Sequence, residues 1–470
     1  MGETDVERAG GTGDGALTLE SLSPEPLLGR EYQDHPEVVH ERLRRRHGAV
    51  APVDLLGVPV WLVLGYPEAL YVLQNDERWP KGMRHWRARN EGRVPADWPL
   101  APALTAENLM ARGGSDHARY RAAWDAALKP FQDPGHPQAR RLRDNIRRTA
   151  DELITLLVRA GRSGTADLAA QFSRPLPLMV AGELLGASGS QGDEALMDIW
   201  RILDAGPDAS AASARVLAAM GRLGEERRNR PGEDFPSYLL AARPHLTTSE
   251  LAHELTMLMG MISDHASILI TNAVVEIITG DGRARASLSA GMIREAVNHV
   301  ALRKPPLANF VPRFPLKDER LGEYVIRAGE PVWIATAATH ADPRFAGGAS
   351  AGRAASTRAH LSWGAGPRQC PARELSTVLT TLALERLFER FAHLELAVPE
   401  DQLPWRSSPF VRGLRALPVR YEVKAGEAIP SAGQEAAGER DKDGARLAQG
   451  SSIRRFLAGL VTGTIDPNAF

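Results

Sequence analysis

The residue with the clearest chemical potential is Cys370, the only cysteine among 470 residues. It lies in the stretch WGAGPRQCPA, where glycines precede the thiol and Pro371 follows it. The next residues, 371–391, repeat apolar side chains at helical spacing, so Cys370 is predicted at the N-terminus of a helix. Free backbone N–H groups and the helix dipole favour negative charge there, which predicts a thiolate with a lowered pKa.

Three roles compete for this thiol. A buried structural cysteine is the commonest role of a lone cysteine. A catalytic nucleophile would need a nearby base, and no motif supplies one. A metal-ligating thiolate fits the predicted helix terminus, and Gly364 and Gly366 would let a planar ligand approach the backbone closely. One cysteine cannot form an internal disulfide, so the sequence indicates no oxidising compartment.

The stretch around Cys370 resembles the haem-binding loop of the cytochrome P450 family, Phe-x-x-Gly-x-Arg-x-Cys-x-Gly. Trp363 stands at the Phe position, Gly366, Arg368 and Cys370 match, and Ala372 replaces the second Gly. The resemblance implies that the cofactor is haem b, with Cys370 as the axial thiolate ligand of iron and Arg368 as a partner of a haem propionate. It also implies a mainly α fold, an α-rich prism with small β-sheets.

Two further segments agree with this resemblance. HARYR (117–121) resembles the family's His-x-x-x-Arg helix, which implies that His117 and Arg121 bind haem propionates. Residues four apart share a helix face, as this role requires. PPLANFVPRF (305–314) resembles the segment that runs beside the haem, which implies that Arg313 is another propionate partner.

The apolar helix predicted at 249–279 should, by the resemblance, cross the distal face of the haem. Where the family has Gly, an acid and Thr, this chain has Ile262, Asp264 and His265. An unpaired charge in an apolar helix is costly, so Asp264 is either a proton-relay carboxylate, which we favour, or a member of a structural ion pair. His265 could replace the hydroxyl in the relay, hydrogen-bond the acid, contact substrate or ligate iron. Asp264 and His265 are therefore the candidate catalytic residues.

The Glu-x-x-Arg pair that anchors the core around the haem loop in this family is absent. The stretch NHVALRKPP places His299 and Leu302 at the two positions, or Val300 and Arg303 in the alternative register. Glu295, one to two helical turns earlier, could supply a substitute carboxylate. The thiolate and propionate residues are present, so we expect a haem protein whose chemistry can differ from ordinary hydroxylation.

The elements that position these residues follow from hydrophobic periodicity. Helical patterns cover 66–76, 135–160, 177–186, 193–206, 209–228, 249–279, 290–302 and 371–392. Strand patterns cover 51–56, 58–65, 323–328, 331–338 and 417–423. Residues 17–424 are predicted to form one haem-thiolate unit, between a flexible tail (1–16) and a polar extension (425–470). The extension is predicted to be mostly disordered, and a short amphipathic helix could form at 453–465.

Composition excludes several classes of function. A net charge of −1 argues against a nucleic-acid binder, and the basic run RLRRR (42–46) is interpreted as a solvated helix face. The first sixteen residues lack the apolar core of a signal peptide, and no uninterrupted apolar stretch has membrane-spanning length. The prediction is a cytoplasmic protein that binds neither nucleic acid nor a membrane.

The resemblance implies a haem-thiolate monooxygenase or oxidase that activates dioxygen and oxidises a small, largely apolar molecule in specialised metabolism. Electrons would come from a ferredoxin and a ferredoxin reductase, since no flavin or iron–sulfur module is fused to the chain. Met257, Met261, Ile262 and residues 307–311 would line the substrate site. The loop 82–112 would shape one wall through Trp86, Trp98 and Leu100.

Two alternatives stay open. One is a peroxide-using variant in which His265 replaces the dioxygen relay. The other is a relative without monooxygenase activity, haem-binding or haem-free, that acts as a partner or activator of another enzyme; the missing Glu-x-x-Arg pair favours it and the intact Cys370 and Arg368 oppose it.

Overall fold

A computed structural model describes residues 19–104, 107–187, 190–203, 209–346 and 358–426. The predicted tail at 1–16 lies outside the described residues. So does the predicted extension at 425–470, apart from residues 425–426, together with its helix at 453–465.

Helices dominate the described part of the chain, in agreement with the predicted fold class. They are α1 Arg30–Asp34, α2 Pro36–His47, α3 Tyr66–Gln74, α4 Arg87–Asn90, α5 Ala101–Leu104, α6 Gly114–Gln132, α7 Pro137–Leu157, α8 Pro175–Leu184, α9 Ser190–Leu203, α10 Ala209–Asn229, α11 Phe235–Ala242, α12 Thr248–Met261, α13 Ser267–Thr279, α14 Arg283–Ser289, α15 Ile293–Arg303, α16 Thr336–His340, α17 Pro343–Ala346 and α18 Arg373–Arg390.

The strands form small sheets at the edge of this helical body. They are β1 Glu25–Pro26, β2 Val50–Asp54, β3 Pro59–Val63, β4 Ser163–Asp167, β5 Asn309–Arg313, β6 Glu319–Leu321, β7 Tyr324–Ile326, β8 Val332–Ala335, β9 Phe391–Leu396 and β10 Pro418–Val423. One sheet has the order β1-β2-β3-β8-β5, in which β1–β2 and β3–β8 are parallel and the other pairs antiparallel. A second, antiparallel sheet has the order β4-β10-β9, and β6 pairs with β7.

The central helical segment, Thr248–Thr279, positions the distal side of the site. It begins at a capping box in which Thr247 and Glu250 satisfy each other's backbone N–H groups, and a π-helical turn, Ile262–Ala266, joins α12 to α13. The segment is long and apolar enough to cross a membrane, but 83% of its most apolar window is buried inside the protein. It is therefore a core helix, against which α15 and α18 pack.

The predicted helices agree with the structure to within a few residues, whereas the strands agree less well. The predicted strand at 331–338 ends at Ala335, and α16 follows directly. Strands β1, β4, β5, β6 and β9 were not predicted. The strand β4 has the sequence SGTAD, which lacks apolar alternation and is held by its pairing with β10 more than 250 residues later.

The basic run on α2 is only partly a solvated face. The side chains of Arg42, Arg45 and Arg46 are 46–78% exposed. Arg44 is 17% exposed and donates to the Ala338 carbonyl at 2.8 Å, so it ties α2 to α16. The interpretation as a solvated face is wrong for this one arginine.

Candidate active site

A cavity lies between the loop 363–372 and the central helical segment. It encloses about 1490 Å³ of empty space, open solvent at its mouth included, and its lining is mostly apolar. Of the predicted site residues, all except Asp264 line it: His117, Arg121, His265, Arg313, Trp363, Gly364, Arg368, Cys370 and Ala372. Residues from across the chain therefore converge on one cavity.

Cys370 lies three residues before α18 begins at Arg373, with its thiol accessible from the cavity. Its backbone N–H donates to the Trp363 carbonyl at 2.8 Å, which closes the loop. Burial raises the pKa of the Cys370 thiol and outweighs the lowering by the Ala372 N–H and by Arg121 and Arg373. The predicted lowering by the helix terminus is thus wrong for the protein alone, and a coordinated metal cation would reverse the balance.

Two glycines shape this loop in different ways. Gly364 (φ +73°) and Gly366 (φ +68°) both have left-handed backbone conformations that disfavour a side chain. A Cβ at Gly366 would lie 2.8 Å from the Leu73 carbonyl oxygen, at the end of α3. Gly366 therefore lets the loop pack on α3, whereas sequence reasoning assigned it to close approach of a ligand; Gly364 does line the cavity.

A buried cluster of charges forms one edge of the cavity. Asp76 accepts hydrogen bonds from both Arg313 and Arg368, whose side chains are 1% and 5% exposed. Burial acts to raise the pKa of Asp76, but Arg368 and Arg313 outweigh it and hold this pKa below its usual value. Asp76 thus fixes both arginines at the cavity edge, and no motif identified it.

Lys81 and His117 lie at the same edge. Burial, with the charges of Arg313 and Arg368, holds the pKa of Lys81 well below its usual value. Burial, followed by the charge of Arg368, lowers the pKa of His117 to about 4, so this imidazole is neutral near pH 7. Sequence reasoning missed Lys81, because a lysine between Pro80 and Gly82 matches no motif.

Arg121 connects α6 to the loop. Its Nε donates to both carboxylate oxygens of Asp125 at 2.9 and 3.0 Å. Its Nη1 donates to the carbonyls of Pro367, at 3.3 Å, and Gln369. Arg121 therefore holds the loop against α6 and also faces the cavity.

The charges around the cavity fit haem. The charged residues that line it are Lys81, Arg121, Arg313 and Arg368, and the carboxylates paired with these arginines among the described residues are Asp76 and Asp125. Four basic side chains thus face two carboxylates. The two propionates of haem b would supply the missing negative charge and favour the protonated form of Lys81, whose pKa burial lowers. With a cysteine and apolar side chains in the same lining, the donor set suits this group.

The distal wall includes the apolar residues that the sequence predicted. Met257, Met261, Ile262, Leu307, Phe310 and Val311 all line the cavity, but Ala308 and Asn309 of the predicted stretch 307–311 do not. The predicted wall of Trp86, Trp98 and Leu100 is wrong, because these residues are buried with Phe314 and Trp333 beside the large sheet. The same loop instead contributes Leu109 and Met110 to the lining, together with Trp124 of α6.

His265 lies in the π-helical turn and lines the cavity. Burial lowers the pKa of His265 and outweighs the raising by Asp264, so the ring is neutral near pH 7. Its Nδ1 is buried and makes no well-formed hydrogen bond within the described part of the chain. The imidazole is thus the one polar side chain that the central helical segment presents to this cavity.

Asp264 is not part of the cavity lining. Arg406 Nη1 donates to Asp264 Oδ1 at 2.6 Å, and the two side chains are 19% and 13% exposed. The ion pair that sequence reasoning kept as the alternative for Asp264 is therefore present. A relay through this carboxylate stays a prediction, and it would require the pair with Arg406 to open.

Histidines replace the missing Glu-x-x-Arg pair as the connection between α15 and the loop. His340 Nδ1 lies 2.8 Å from the Leu302 carbonyl, and the Leu361 N–H donates to its Nε2 at 2.8 Å. The proton is therefore on Nδ1, and the neutral ring bridges the two backbone groups. Burial lowers the pKa of His340 to about 4, which keeps the bridge neutral.

Side chains add three further links near this bridge. His360 Nε2 lies 3.1 Å from Asn298 Oδ1, and the Ser362 hydroxyl donates to the Ala301 carbonyl. Glu295, the predicted substitute carboxylate, pairs with Arg358. The stretch leading into the loop is thus connected to α15 mainly by neutral hydrogen bonds.

Comparison with known proteins agrees with this geometry. A family model for cytochrome P450 matches residues 292–424. Cytochrome P450 107B1 of Saccharopolyspora erythraea is 30% identical over 378 residues, which are 77% of this chain and 90% of that protein. The 2-hydroxy-5-methyl-1-naphthoate 7-hydroxylase of Streptomyces carzinostaticus is 28% identical over 393 residues, 81% of this chain and 94% of the relative.

Solved structures share the fold. CYP154A1 from Streptomyces coelicolor superposes with a TM-score of 0.71 at 27% identity, over 83% of this chain and 98% of that one. Two observations lead to one assignment. A relative at 30% identity matches over most of both chains, and the cysteine, the arginines and the central helix converge on one cavity. The chain belongs to the cytochrome P450 family and is a haem-thiolate monooxygenase.

Proposed function

We propose that the cavity holds haem b with Cys370 as its axial ligand, and that the enzyme hydroxylates a small, mostly apolar organic molecule of specialised metabolism. The observation that carries this proposal is the convergence of one thiol, four basic side chains that share two carboxylates, and an apolar distal wall on a single cavity. Haem, when bound, supplies the iron at which dioxygen is activated. Residues 17–424 form the haem-thiolate unit.

In this proposal the cationic edge binds the propionates. Arg313 and Arg368 are held by Asp76, so their orientation is fixed before the cofactor binds. Lys81 gains a stabilising anion, which offsets the cost of its burial. Neutral His117 donates one N–H, and Arg121 adds charge from the side of α6.

The neutral imidazole of His265 moves protons on the distal side. One ring nitrogen can accept a proton while the other donates one, which a threonine hydroxyl does in most relatives of this family by the resemblance noted above. The ring lines the cavity and its buried Nδ1 makes only a weak contact with the Met261 backbone, which supports this role because a hydrogen-bonding position of the ring stays free. The alternative, a contact between His265 and a polar group of the substrate, uses the same free position.

The distal wall favours a largely apolar substrate. Methionines at 257 and 261 adapt to different shapes, while Ile262 and Phe310 are bulkier and set the limits of the space. One relative is named as a hydroxylase of a methylated naphthoate. A molecule of that general kind, with an apolar body and a polar group near His265, is the substrate class that we propose.

We further propose that electrons reach the haem from a ferredoxin and a ferredoxin reductase in the cytoplasm. The support is the absence of a recognisable flavin or iron–sulfur module in the sequence, in which the single cysteine is already assigned. Electron transfer can be tested directly by reconstituting turnover with a bacterial ferredoxin system.

The spectrum of the reduced, carbon-monoxide-treated protein tests the cofactor assignment. We expect the red-shifted Soret band of a thiolate-ligated haem in the wild type and its loss in Cys370→Ser. Protein that is purified without haem after expression with ample haem supply would overturn the proposal. Turnover with peroxide but not with ferredoxin would show that the enzyme is the peroxide-using variant and does not activate dioxygen.

A further inference from the structure

A second group of ligand-type side chains lies outside the cavity, where α13, α14 and α15 meet. Glu276 belongs to α13, Asp281 to the turn that follows it, and His299 to α15. One oxygen of each carboxylate and Nε2 of the imidazole all lie within 4.8 Å of one another. None of these three residues lines the cavity.

The distances inside this cluster do not suit hydrogen bonds. His299 Nε2 lies 3.5 Å from Glu276 Oε1 and 3.7 Å from Asp281 Oδ1, beyond the roughly 2.7–3.2 Å of an N–H···O bond. The side chains of His299 and Glu276 are 6% and 4% exposed, and Nε2 makes no well-formed hydrogen bond in the described chain. Burial acts to raise the pKa of the Glu276 carboxyl, but the long contact with His299 acts against burial and helps to lower this pKa. The buried imidazole nitrogen thus faces two carboxylates at distances longer than a good hydrogen bond.

The same distances suit a small divalent cation. Two ligands that lie about 2.0–2.1 Å from a tetrahedral Zn²⁺ are separated from each other by about 3.3–3.4 Å. The observed 3.5 and 3.7 Å need to close by only a few tenths of an ångström. The group of one imidazole and two carboxylates leaves a fourth position open on the side of Asp281, whose side chain is 45% exposed.

The neighbouring cations hold the carboxylates in this orientation. Lys304 Nζ lies 3.1 Å from Glu276 Oε2, and Arg283 Nε lies 3.5 Å from Asp281 Oδ2. Each side-chain cation contacts the oxygen that is not the one directed at His299, so it can stay in place when the other oxygen binds a metal. The Arg283 backbone N–H donates to Asp281 Oδ1 at 3.0 Å, which leaves the second lone pair of that oxygen for the metal. Lys304 is also 3.4 Å from Glu400 Oε1, which lessens its repulsion of a bound cation.

Gly280 follows α13 beside the cluster. A Cβ at this position would lie 2.4 Å from the Glu276 carbonyl oxygen and 2.6 Å from Glu276 Oε1, the oxygen directed at His299. A side chain here would therefore disturb both the end of the helix and the candidate ligand atom.

We propose that Glu276, Asp281 and His299 bind a divalent transition-metal ion such as Zn²⁺, with water as the fourth ligand. Imidazole as a ligand selects such ions over Mg²⁺ and Ca²⁺, which prefer oxygen ligands alone. The ion joins α13, the start of α14 and α15, and in one of the two registers given above His299 stands at the Glu position of the missing Glu-x-x-Arg pair. The metal therefore reinforces the contact between the central helix and α15, independently of haem.

Zinc binding to the haem-loaded, full-length protein tests this proposal. We expect about one zinc per chain, measured by equilibrium dialysis and elemental analysis, and a rise in the midpoint of thermal unfolding with added Zn²⁺ but not with Mg²⁺. His299→Gln and Asp281→Asn should each weaken zinc binding at least about tenfold. Asp281 lies at the surface, so its variant can be judged even if His299→Gln folds poorly.

The matched control is His393→Gln. His393 lies beside Glu395 at 3.2 Å on the surface, a histidine–carboxylate pair without the second carboxylate of the candidate site. The His393→Gln substitution should leave zinc binding and the zinc-induced rise in the unfolding midpoint unchanged. Substoichiometric zinc in the wild type, or zinc binding that survives both Asp281→Asn and His299→Gln, would overturn the proposal.

Discussion

The two faces of the haem cavity differ in how firmly their residues are held. On the proximal face, Cys370 and Arg368 bond to backbone carbonyls of Trp363, Met110 and Arg112, so the loop is fixed by groups that every sequence carries. On the distal face, one side of the His265 side chain borders the cavity. The proximal loop keeps Gly366, Arg368 and Cys370 of the family pattern, whereas the distal helix departs from that pattern at Ile262 and His265.

A similar contrast separates the two kinds of anchor around the loop. The arginines at the cavity edge depend on a buried charge, Asp76, whereas the connection from the loop to α15 depends on the neutral ring of His340. Charged side chains are present where the anionic propionates would bind. Uncharged hydrogen bonds connect the segments that contact only other parts of the protein. Four measurements test this comparison.

Removing the charge at the cavity edge should have the largest effect. Asp76→Asn leaves Arg313 and Arg368 buried without a countercharge, so we expect the haem-free protein to lose about 3–5 kcal/mol of unfolding free energy. Haem propionates should restore part of this loss. Urea unfolding of the haem-free and haem-loaded forms measures both quantities.

The control for this change is Asp125→Asn. This substitution removes the carboxylate that pairs with Arg121, and that pair is partly exposed to solvent. It should cost at most about 1 kcal/mol. Equal losses for the two variants would show that burial of the arginines does not matter.

Removing the neutral bridge through His340 should have the second-largest effect. His340→Ala leaves the Leu302 carbonyl and the Leu361 N–H buried without partners, which should cost about 2–4 kcal/mol. We expect faster loss of haem to a haem acceptor protein, because the stretch before the loop is no longer tied to α15. His253→Ala, on an exposed histidine of α12, should change neither quantity. Unchanged haem retention in His340→Ala would contradict the proposed anchor.

Changing His265 should affect turnover but not the cofactor. With His265→Ala we expect ferredoxin-driven turnover to fall by about 10–100-fold, since a proton donor is lost, while the carbon-monoxide spectrum keeps its thiolate signature. His265→Thr should recover part of the rate if the hydroxyl can replace the imidazole. Equal rates in wild type and both variants would remove His265 from the proton path.

The smallest effect concerns pH. The folded-state pKa of His340 is lowered from 6.5 to about 4, so the neutral ring stabilises the fold fully above pH 6.5 and this stabilisation is lost as the pH falls towards 4. Between about pH 7 and about pH 5 we expect a loss of about 1–2 kcal/mol from this group. His340→Ala should show a shallower decline in urea unfolding than the wild type, and parallel curves would refute the assignment.

The resemblance of the stretch around Cys370 to a family motif was sufficient to predict which loop residues line the cavity, whereas the residues alone left three roles open for the thiol. The central helix was predictable from the sequence itself, since burial on all sides demands an apolar run. Both predictions rest on short, continuous stretches of sequence.

The remaining parts of the site depend on contacts between distant segments. Arg406 reaches Asp264 from 142 residues away, and nothing in either local sequence indicates the pair. Asp76 and Lys81 acquire their roles only because α3 packs under the loop. Trp86 and Trp98 were assigned to the cavity wrongly, because an aromatic side chain near a variable loop fits a sheet core equally well.

The bridge through His340 also determines how the enzyme responds to its ionic surroundings. An ion pair weakens as added salt screens its charges, whereas hydrogen bonds from a neutral ring to two backbone groups contain no charge to screen. The loop of this protein should therefore keep its attachment to α15 in concentrated salt, with only the exposed pair of Glu295 and Arg358 weakened. The attachment of the loop to α15 is therefore less sensitive to salt than an ion pair would be, and more sensitive to acid.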